Sequence, residues 1–474
     1  MNQPALRECQ KTSQVYQPNS EQIKQQMQEL CHSEFKAMID QYLVAVTQQM
    51  RQDQWFDGQT PSAQFLVPDL ASYQIAGEYD SSSHFTPFIQ KLVIKPDSKV
   101  IVVGDLHGDL DALLALLQEL EQTGYLDNQY RLIREDAYFV FLGDYINRGM
   151  NSIGVVYVLC KLYVNNPNRV VMLRGNHEYA LTSKNFQKRF LQAQADGQDY
   201  PAKKTFLCEL TQQFAEYQYP DLLYWFDYLP MALYLGTADQ DGLINFVKFC
   251  HGGLEVGYNP QNFLLSTASF CLLTSFDRYA GLETLKQELA GTTFVSDVQK
   301  AFDYCASQET VGFEKHFQLA QPVNLDSDVS PYHLRIGMQW NNFLTQDDGQ
   351  PEFALSTARR TLYLGKLVTQ RLLQQRSNDR VAVHAIMRGH QHLDENVDVL
   401  RVNSPMLTQI RNQAGVVRQW DGMVYTLGAS DHITGYHSFM MLCTKSDMKK
   451  WNARHYFKKP DETQFCMRAY PFLG

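Results

Sequence analysis

Residues 100–108 read VIVVGDLHG, a run of β-branched residues that ends in glycine, a carboxylate and a histidine. Such a run, closed by Gly104 and Asp105, is typical of a strand that is buried on both faces and ends in a tight turn. The same plan, an apolar run with small and polar residues at its end, recurs in segments that begin at Tyr138, Val170, Phe246, Val383 and Met423. We therefore expect a buried sheet whose strands carry polar side chains at their carboxyl ends.

Helical periodicity follows two of these strands. Leucines keep helical spacing over residues 110–120, before Gly124. An apolar stripe over residues 153–163 follows a cap at Asn151. Strands that alternate with helices predict a layered α/β domain, and in such sheets ligands bind just beyond the carboxyl ends of the strands.

The composition argues against several classes of protein. The chain has 42 Lys+Arg against 51 Asp+Glu, a formal net charge of −9, which gives no general attraction to nucleic acid or to an anionic membrane. The 9 cysteines are scattered without a Cys-x-x-Cys pair, and the amino-terminal segment has no apolar signal-peptide core. We expect a soluble protein of a reducing, cytosolic compartment, with no nucleic-acid partner and no membrane span.

Side chains that can ligate metals stand at the ends of five of the predicted strands. They are Asp105, His107, Asp144, Asn176, His177, His251 and His390. Carboxylate, carboxamide oxygen and neutral imidazole all bind divalent cations, so the set could hold two metals that share one carboxylate. Each motif alone is more often a turn, a helix cap or a structural histidine. Five in chain order at strand ends instead favour a metal site, and hydrolysis of phosphoesters is the natural chemistry of two neighbouring cations.

Five motifs together resemble a known enzyme family. They are GDLHG at 104–108, GDYINRG at 143–149, RGNHE at 174–178, HGG at 251–253 and RGHQ at 388–391. In this order they look like the signatures of the PPP-type phosphoprotein phosphatases, a branch of the calcineurin-like metallophosphoesterases. The resemblance implies a four-layer α/β/β/α sandwich, a phosphorylated protein substrate and two divalent metal ions, with Mn²⁺ expected and Fe or Zn²⁺ as alternatives.

The resemblance also implies roles for the metal ligands. Asp105 and His107 would bind one metal, and Asp144 would bridge the pair. The second metal would be completed by Asn176, His251 and His390. Two cations lower the pKa of a bridging water, so hydroxide would attack phosphorus directly, without a covalent enzyme intermediate.

Other residues are implied to contact the substrate. His177 would be the general acid, oriented by Asn147, and Arg148 would bind the phosphate. A second phosphate-binding arginine is expected at Arg359 or Arg360. His432 stands where the family has a tyrosine that overhangs the metals, and it has either a substrate-facing role or an ordinary place in a polar loop.

Asn147 departs from the family pattern, which has aspartate at this position. A carboxamide supplies no negative charge, so it should raise the pKa of His177 less than a carboxylate would. Cleavage of phosphoserine or phosphothreonine should then suffer more than cleavage of phosphotyrosine. The departures at Asn147, Glu255 and His432, with the extra sequence around the motifs, resemble the Wip-type effector phosphatases that Legionella injects into host cells.

The 474 residues would allow about three domains at roughly 150 residues each, but the motifs favour one enlarged domain. The predicted division is a Gln-rich helical region at 1–94 that packs on the core, a metallophosphatase catalytic domain at 95–441 with helical insertions at about 179–242 and 256–340, and a C-terminal extension at 442–474. Within the first region one amphipathic helix is expected from Ser20 to about Gln54.

Two other functions remain open on the sequence alone. A dinucleoside tetraphosphate hydrolase of the same fold would also accommodate Asn147, although such enzymes are compact and have no need of two long insertions. A non-catalytic binding module on a phosphatase scaffold is the other alternative. The presence of all six proposed metal ligands together with Arg148 argues against it. The oligomeric state is left open.

Overall fold

The computed structural model describes residues 19–61, 66, 87–181, 206–214, 224–256, 258–273, 286–307, 337–345, 351–356, 359, 361–397 and 402–474. Two large sheets pack face to face, and helices cover the outer face of each. The predicted α/β fold class, a four-layer α/β/β/α sandwich, is confirmed. Among the described helices, none combines the length and the apolar composition that crossing a membrane requires.

The first sheet has six strands in the described residues. In spatial order they are Cys466–Pro471, Asn452–Lys458, His437–Cys443, Lys99–Val103, Ala137–Phe141 and Val170–Met172. The strand Ala137–Phe141 is parallel to both of its neighbours, so the carboxyl ends of three strands lie at one edge. That edge receives the polar tips that follow Val103, Phe141 and Met172.

The second sheet has seven strands in the described residues. In spatial order they are Val416–Gln419, Val424–Leu427, Val381–Arg388, Ile244–Cys250, Ala232–Ala238, Phe88–Val93 and Phe270–Leu272. The strand Val381–Arg388 is parallel to both of its neighbours. Apolar side chains of the two sheets, among them Val102, Val140, Phe249 and Met387, form one buried cluster between them. All six strands predicted from the sequence are present in the two sheets.

Smaller strands and helices complete the layers. A three-stranded sheet contains Asn342–Phe343, Thr361–Leu364 and Phe353–Ser356, and a two-stranded sheet contains Asp394–Val397 and Val402–Pro405. The α-helices beside the first sheet are Asn19–Glu29, His32–Gln52, Leu110–Gln122, Ser152–Asn165, Asn176–Leu181 and Phe206–Gln213. The remaining described α-helices are Gln261–Leu265, Phe294–Ser307, Gly337–Trp340, Lys366–Gln375, Met406–Asn412 and Asp431–Thr434.

Both helices predicted after strands begin and end as their capping residues indicate. The helix Leu110–Gln122 is followed by Gly124 at φ 75°, a left-handed conformation that suits glycine. The helix Ser152–Asn165 begins after Asn151, whose side-chain oxygen accepts the amide of Gly154 at 2.8 Å. Local capping chemistry therefore sets these boundaries.

The single helix expected from Ser20 to about Gln54 is wrong, because the chain forms two helices, Asn19–Glu29 and His32–Gln52. The break lies at Cys31, which is extended (φ −87°, ψ 162°) and whose amide is accepted by Glu34 at 3.1 Å. This contact starts a new helix and allows its axis to change direction. The apolar stripe of both helices packs with the helix Ser152–Asn165 in one cluster.

The sheets extend beyond the predicted limits of the catalytic domain. The strand Phe88–Val93 precedes residue 95, and the strands Asn452–Lys458 and Cys466–Pro471 follow residue 441. The segment 179–242, predicted to be helical, contains the strand Ala232–Ala238, whose buried residues pair with strands on both sides. The helical prediction is wrong there, because pairing within the sheet decided the conformation of a short apolar run.

Candidate active site

The carboxyl ends of the two sheets meet, and there they bring the predicted metal ligands together. Asp105 follows Lys99–Val103, and its carbonyl oxygen accepts the amides of Ala429 and Ser430 at 3.1 and 3.2 Å. On the second sheet, the amide of Gly389 donates to the carbonyl of His251 at 3.1 Å. Strand ends that are far apart in sequence thus form one surface.

Seven buried side chains form what we call the strand-end cluster. They are Asp105, His107, Asp144, Asn176, His251, His390 and His392. Asp144 lies at the centre, with its Oδ2 atom 3.5 Å from Nε2 of His107 and 3.3 Å from Nε2 of His251. The Oδ1 atom of Asn176 lies 2.8 Å from His251 Nε2 and 2.7 Å from His390 Nδ1.

The cluster divides into two groups that flank Asp144. Asp105, His107 and His392 offer ligand atoms within 4.8 Å of one another, and Asp144, His251 and His390 do the same. Asn176 contacts both histidines of the second group. Two adjacent sets of oxygen and nitrogen donors with a carboxylate between them are what a pair of divalent cations requires.

His392 was not among the residues predicted from the sequence. Its Nδ1 atom lies 3.2 Å from Asp105 Oδ2, and its Nε2 atom is in close contact with the guanidinium of Arg148. The sequence does contain a signal, because Gly389-His390-Gln391-His392 places two imidazoles two residues apart after a buried strand. The resemblance to the PPP-type phosphatases implies a ligand only at the first of them, His390.

The buried atoms of the cluster fit a cation. Four of them make no hydrogen bond within the described part of the chain: His107 Nε2, Asp144 Oδ2, His390 Nε2 and His392 Nδ1. Unpaired buried polar atoms are costly, and here they face one another instead of being scattered. Nδ1 of His107 lies 3.1 Å from the carbonyl of Ile146, and Nδ1 of His251 lies 3.0 Å from that of Leu142. A carbonyl only accepts, so Nδ1 donates, and in the neutral ring Nε2 has the lone pair that would ligate a cation.

The charges of the cluster also favour a cation. Burial alone would raise the pKa of Asp144, but His251, His177 and His107 outweigh it and hold that pKa well below its usual range. Burial alone would lower the pKa of His251, but the charges of Asp144 and Asp105 outweigh it and raise that pKa to about 9. The two carboxylates therefore attract positive charge strongly at this place.

The backbone is in the left-handed region at five site residues. His107, Asp144, Asn147, Arg148 and His390 have φ between 46° and 69°. Residues other than glycine rarely adopt this conformation, and it persists where surrounding contacts impose it. Glu178 supplies such contacts, because its carboxylate accepts the amides of Asp144, Tyr145 and Gly175 at 2.8 to 2.9 Å.

Glycine is required at Gly389 by close approach. A side-chain carbon at this position would collide with the Oδ1 atom of Asp105. The motif Arg388-Gly389-His390 thus allows the second sheet to contact the first at the cluster.

The rim of the cluster contains Arg148 and His177. The Nη2 atom of Arg148 lies 3.3 Å from His177 Nε2, and its Nη1 atom contacts His392. His177 Nε2 is 3.9 Å from Asp144 Oδ2. Burial lowers the pKa of His177 to about 4, since the raising effect of Asp144 does not compensate for it.

Asn147 contacts His177 from the other side, and its orientation is determined by a backbone amide. Its Oδ1 atom accepts the amide of Phe206 at 2.8 Å, so its Nδ2 atom faces His177 Nδ1 at 2.9 Å. Asn147 therefore donates to His177 and does not accept from it. Because Asn147 donates, the neutral ring of His177 has its proton on Nε2, and the approach of Arg148 to that atom is not a hydrogen bond.

The end of the second predicted insertion supports the loop after His251. The amides of Gly252 and Gly253 donate to the carbonyls of Met338 and Gly337 at 2.7 and 2.9 Å. In the same segment, Gln339 donates to the carbonyl of Gly175 at 3.2 Å.

Two further residues of this region, Glu255 and Trp340, make contacts that the sequence did not predict. The Glu255 carboxylate accepts the amide of Gly337 at 2.6 Å. The ring of Trp340 packs edge to face against His390, with centroids 5.5 Å apart. The segment 337–345 therefore reaches the cluster itself.

Two of the remaining predicted substrate contacts, Arg359 and His432, do not join the strand-end cluster. Arg359 forms an ion pair with Glu395. Arg360 lies outside the described residues. His432 lies with Asp109 and Asp431, with its Nδ1 atom 3.5 Å from Asp431, and its side chain is about half exposed.

Comparisons with known proteins agree with this geometry. Residues 98–305 match the family model of the calcineurin-like phosphoesterases. The chain is 33% identical over 168 residues to the serine/threonine-protein phosphatase PP2A-like PPG1 of Candida albicans, covering 34% of this chain and 31% of that protein. It is 27% identical over 295 residues to the serine/threonine-protein phosphatase SIT4 of the same organism, covering 55% of this chain and 79% of that protein.

A solved protein serine/threonine phosphatase of Saccharomyces cerevisiae superposes with a TM-score of 0.45 at 14% identity, covering 96% of this chain and 97% of that one. In these sequence alignments, the chain spans about a third of the length of the PPG1 protein and most of the length of the SIT4 protein. Residues 98–305 are therefore similar to the calcineurin-like phosphoesterases, and the chain is similar to serine/threonine-protein phosphatases.

Proposed function

We propose that the protein is a metal-dependent phosphoprotein phosphatase, a phosphoric monoester hydrolase. The observation that carries the proposal is the strand-end cluster, in which Asp144 lies between two sets of donors whose buried ligand atoms face one another unpaired. Arg148 and His177 at its rim supply what a phosphoester needs beside the cations.

Each group of the cluster would hold one divalent cation. Asp105, His107 and His392 would ligate the first, Asn176, His251 and His390 the second, and Asp144 both. The family resemblance implies Mn²⁺, with Fe or Zn²⁺ as alternatives, and donors that mix carboxylate, carboxamide and imidazole suit each of these cations. When bound, such a pair supplies an activated water and neutralises charge on the phosphoryl oxygens.

Arg148 would bind the phosphate. A guanidinium pairs with two phosphate oxygens at once, and the left-handed backbone at Arg148 directs this side chain toward His177 and His392 at the rim. Arg359 is an unsuitable second partner while it is paired with Glu395. We keep Arg360 as a candidate for this role, and His432 as a contact to more distant parts of the substrate.

His177 would donate its Nε2 proton to the leaving oxygen. Asn147 donates to Nδ1 and supplies no charge, so the doubly protonated imidazolium is disfavoured and the ring is a weak acid. A phenolate, with a pKa of about 10, needs less protonation than the alkoxide of serine or threonine. We therefore expect phosphotyrosine to be cleaved more readily than phosphoserine or phosphothreonine.

The narrower resemblance to Wip-type effectors remains part of the proposal. It depends on Asn147, Glu255 and His432 and on the extra sequence around the motifs, and it would make host phosphoproteins the substrates. A cytosolic location, by injection or otherwise, and the division into a region at 1–94, a domain at 95–441 and an extension at 442–474 likewise stay predictions.

A phosphopeptide library assayed with Mn²⁺ tests the proposal. We expect metal-dependent release of phosphate, with phosphotyrosine peptides cleaved fastest. Diadenosine tetraphosphate assayed in parallel is the control for the other hydrolase of this fold. Preference for the nucleotide, or no phosphate release with any added divalent metal, would refute the proposed function.

A further inference from the structure

The helix Phe206–Gln213 belongs to the first predicted insertion, in which the sequence shows no catalytic pattern, yet it contacts the loop that carries Arg148. Its Phe206, Leu207 and Leu210 side chains are buried in the same cluster as Tyr145 and Ile153, so the helix is held firmly against the core. Its polar groups reach the site from that anchored position.

Glu209 of this helix binds the amino-terminal end of the helix Ser152–Asn165. Its Oε2 atom accepts the amides of Ser152 at 2.6 Å and of Ile153 at 3.3 Å, and its Oε1 atom accepts the hydroxyl of Ser152 at 2.7 Å. Amides in the first turn of a helix have no partner within the helix and favour negative charge. The carboxylate therefore fastens one end of the loop 147–152.

Ser152 transmits this contact to Asn147. Since the hydroxyl proton of Ser152 is directed to Glu209, its oxygen is free to accept the amide of Asn147, which lies 3.2 Å away. The amide of Phe206 donates to the side-chain oxygen of Asn147. Two positions one turn apart on one helix thus hold both the main chain and the side chain of Asn147.

The loop needs these contacts because of its backbone. Asn147 and Arg148 have φ of 68° and 69°, a conformation that other residues than glycine keep only under constraint. The Nδ2 atom of Asn147 can donate to His177 only while its oxygen stays on Phe206. Release of the helix would free both the proton donor and the phosphate-binding arginine.

We propose that the helix Phe206–Gln213 is the positioning element of the reaction, and that Glu209 acts through Ser152 and Asn147 to align His177 with the leaving oxygen. The proposal rests on the proposed function. It adds that the first insertion sets how well the site protonates a leaving group, which makes Glu209 a determinant of substrate class.

The test compares two leaving groups in Glu209→Gln. The carboxamide keeps the size of the side chain, but it cannot accept hydrogen bonds from the Ser152 amide, the Ser152 hydroxyl and the Ile153 amide on two oxygens. p-Nitrophenyl phosphate needs little protonation and a phosphoserine peptide needs much, so we expect kcat for the peptide to fall about tenfold more, a part of the ~10²–10⁴ that acid–base catalysis supplies. The ratio of the two rates does not depend on the fraction of folded protein. Gln212→Ala, on the exposed face of the same helix, should leave the ratio unchanged.

A second variant covers the case in which Glu209→Gln folds poorly. Ser152→Ala removes the transmitting hydroxyl while leaving the backbone amides for Glu209, and it should shift the ratio in the same direction. When Glu209→Gln or Ser152→Ala is combined with Asn147→Ala, the ratio of the two rates should differ little from its value in Asn147→Ala alone. The reason is that Glu209 and Ser152 act on His177 only through Asn147.

Equal losses on both substrates, or losses that multiply in the double variant, would overturn the inference and leave the proposed function standing. A wild-type protein that is inactive on both substrates would overturn the proposed function and this inference with it.

Discussion

The two halves of the strand-end cluster are supported in different ways. The half on the first sheet, with Asp105, His107, Asp144 and Asn176, is held mainly by Glu178 and by the loops that follow its own strands. One distant contact is added, because the carbonyl of Asp105 accepts the amides of Ala429 and Ser430. The half on the second sheet, with His251, His390 and His392, is held by the segment 337–345, which is nearly ninety residues beyond His251 in the chain.

The difference shows what each predicted insertion does for the site. The first insertion contributes the helix Phe206–Gln213, which contacts the rim through Asn147. The second contributes the segment 337–345, which supports the histidine ligands themselves. Damage to the first should therefore change the handling of the leaving group, whereas damage to the second should change metal affinity.

The largest effect is expected at Asp144, the carboxylate that lies between the two groups of metal donors. In Asp144→Asn the central charge is lost, so turnover of p-nitrophenyl phosphate with Mn²⁺ should fall to background and bound metal should drop in inductively coupled plasma mass spectrometry. Asp136→Asn, at a partly exposed carboxylate paired with Arg134, is the matched control. Wild-type turnover in Asp144→Asn would contradict the assignment of Asp144 as the shared ligand.

His177→Ala should impair proton donation at the rim without loss of metal from the strand-end cluster. We expect kcat for a phosphoserine peptide to fall about 10²–10³-fold, with a smaller loss on p-nitrophenyl phosphate, because the serine alkoxide depends more on proton donation than the nitrophenolate does. Metal content should stay at the wild-type level. His384→Ala, at a histidine that pairs with Asn245, is the control. If metal content fell with activity, His177 would belong to the ligands instead.

Gln391→Ala tests the support of the second-sheet half. Gln391 lies between His390 and His392 in the chain. Its side-chain oxygen accepts a hydrogen bond from Nη1 of Arg388 at 2.6 Å, and its side-chain nitrogen donates one to the carbonyl of Phe343 at 2.8 Å. Loss of such a contact typically weakens metal affinity or activity by about 10–100-fold, so the Mn²⁺ concentration at half-maximal activity should rise by that order. Gln122→Ala, at an exposed position, should leave it unchanged. An unchanged Mn²⁺ dependence in Gln391→Ala would show that the histidines need no such support.

The smallest effect is expected at Glu255, which holds the segment 337–345. It concerns how the free energy of unfolding depends on pH. Burial raises its pKa to about 7, above the value in an unfolded chain, so its protonated form favours the folded state. Its contribution should be present below about pH 4.5 and be lost as the pH rises through about 7, with a ceiling of roughly 3 kcal/mol. Glu255→Gln resembles the protonated form, so its unfolding free energy should fall less than that of the wild type between pH 5 and pH 8. Parallel pH profiles of the two proteins in chemical denaturation would refute this.

Much of the fold and of the site was predictable from local patterns. The run at 100–103, the turn at Gly104 and the cap at Asn151 are decided by short-range sterics and hydrogen bonds, and the structure has the strand and the helix that they predict. His392 was missed although the signal was present. The strand Ala232–Ala238 was missed because a short buried run does not distinguish strand from helix until it finds a partner.

The sequence by itself determined the six predicted strands, the order of the polar tips and the type of donor at each tip, because these depend on neighbouring residues. Only the tertiary structure decided that Asn147 donates to His177, since its orientation comes from the amide of Phe206, 59 residues away. The same holds for Glu209 at Ser152 and for the segment 337–345 beside His390. Hydrogen bonds between distant segments exist only when the core has brought them within about 3 Å, and a pattern of adjacent residues contains no record of that distance.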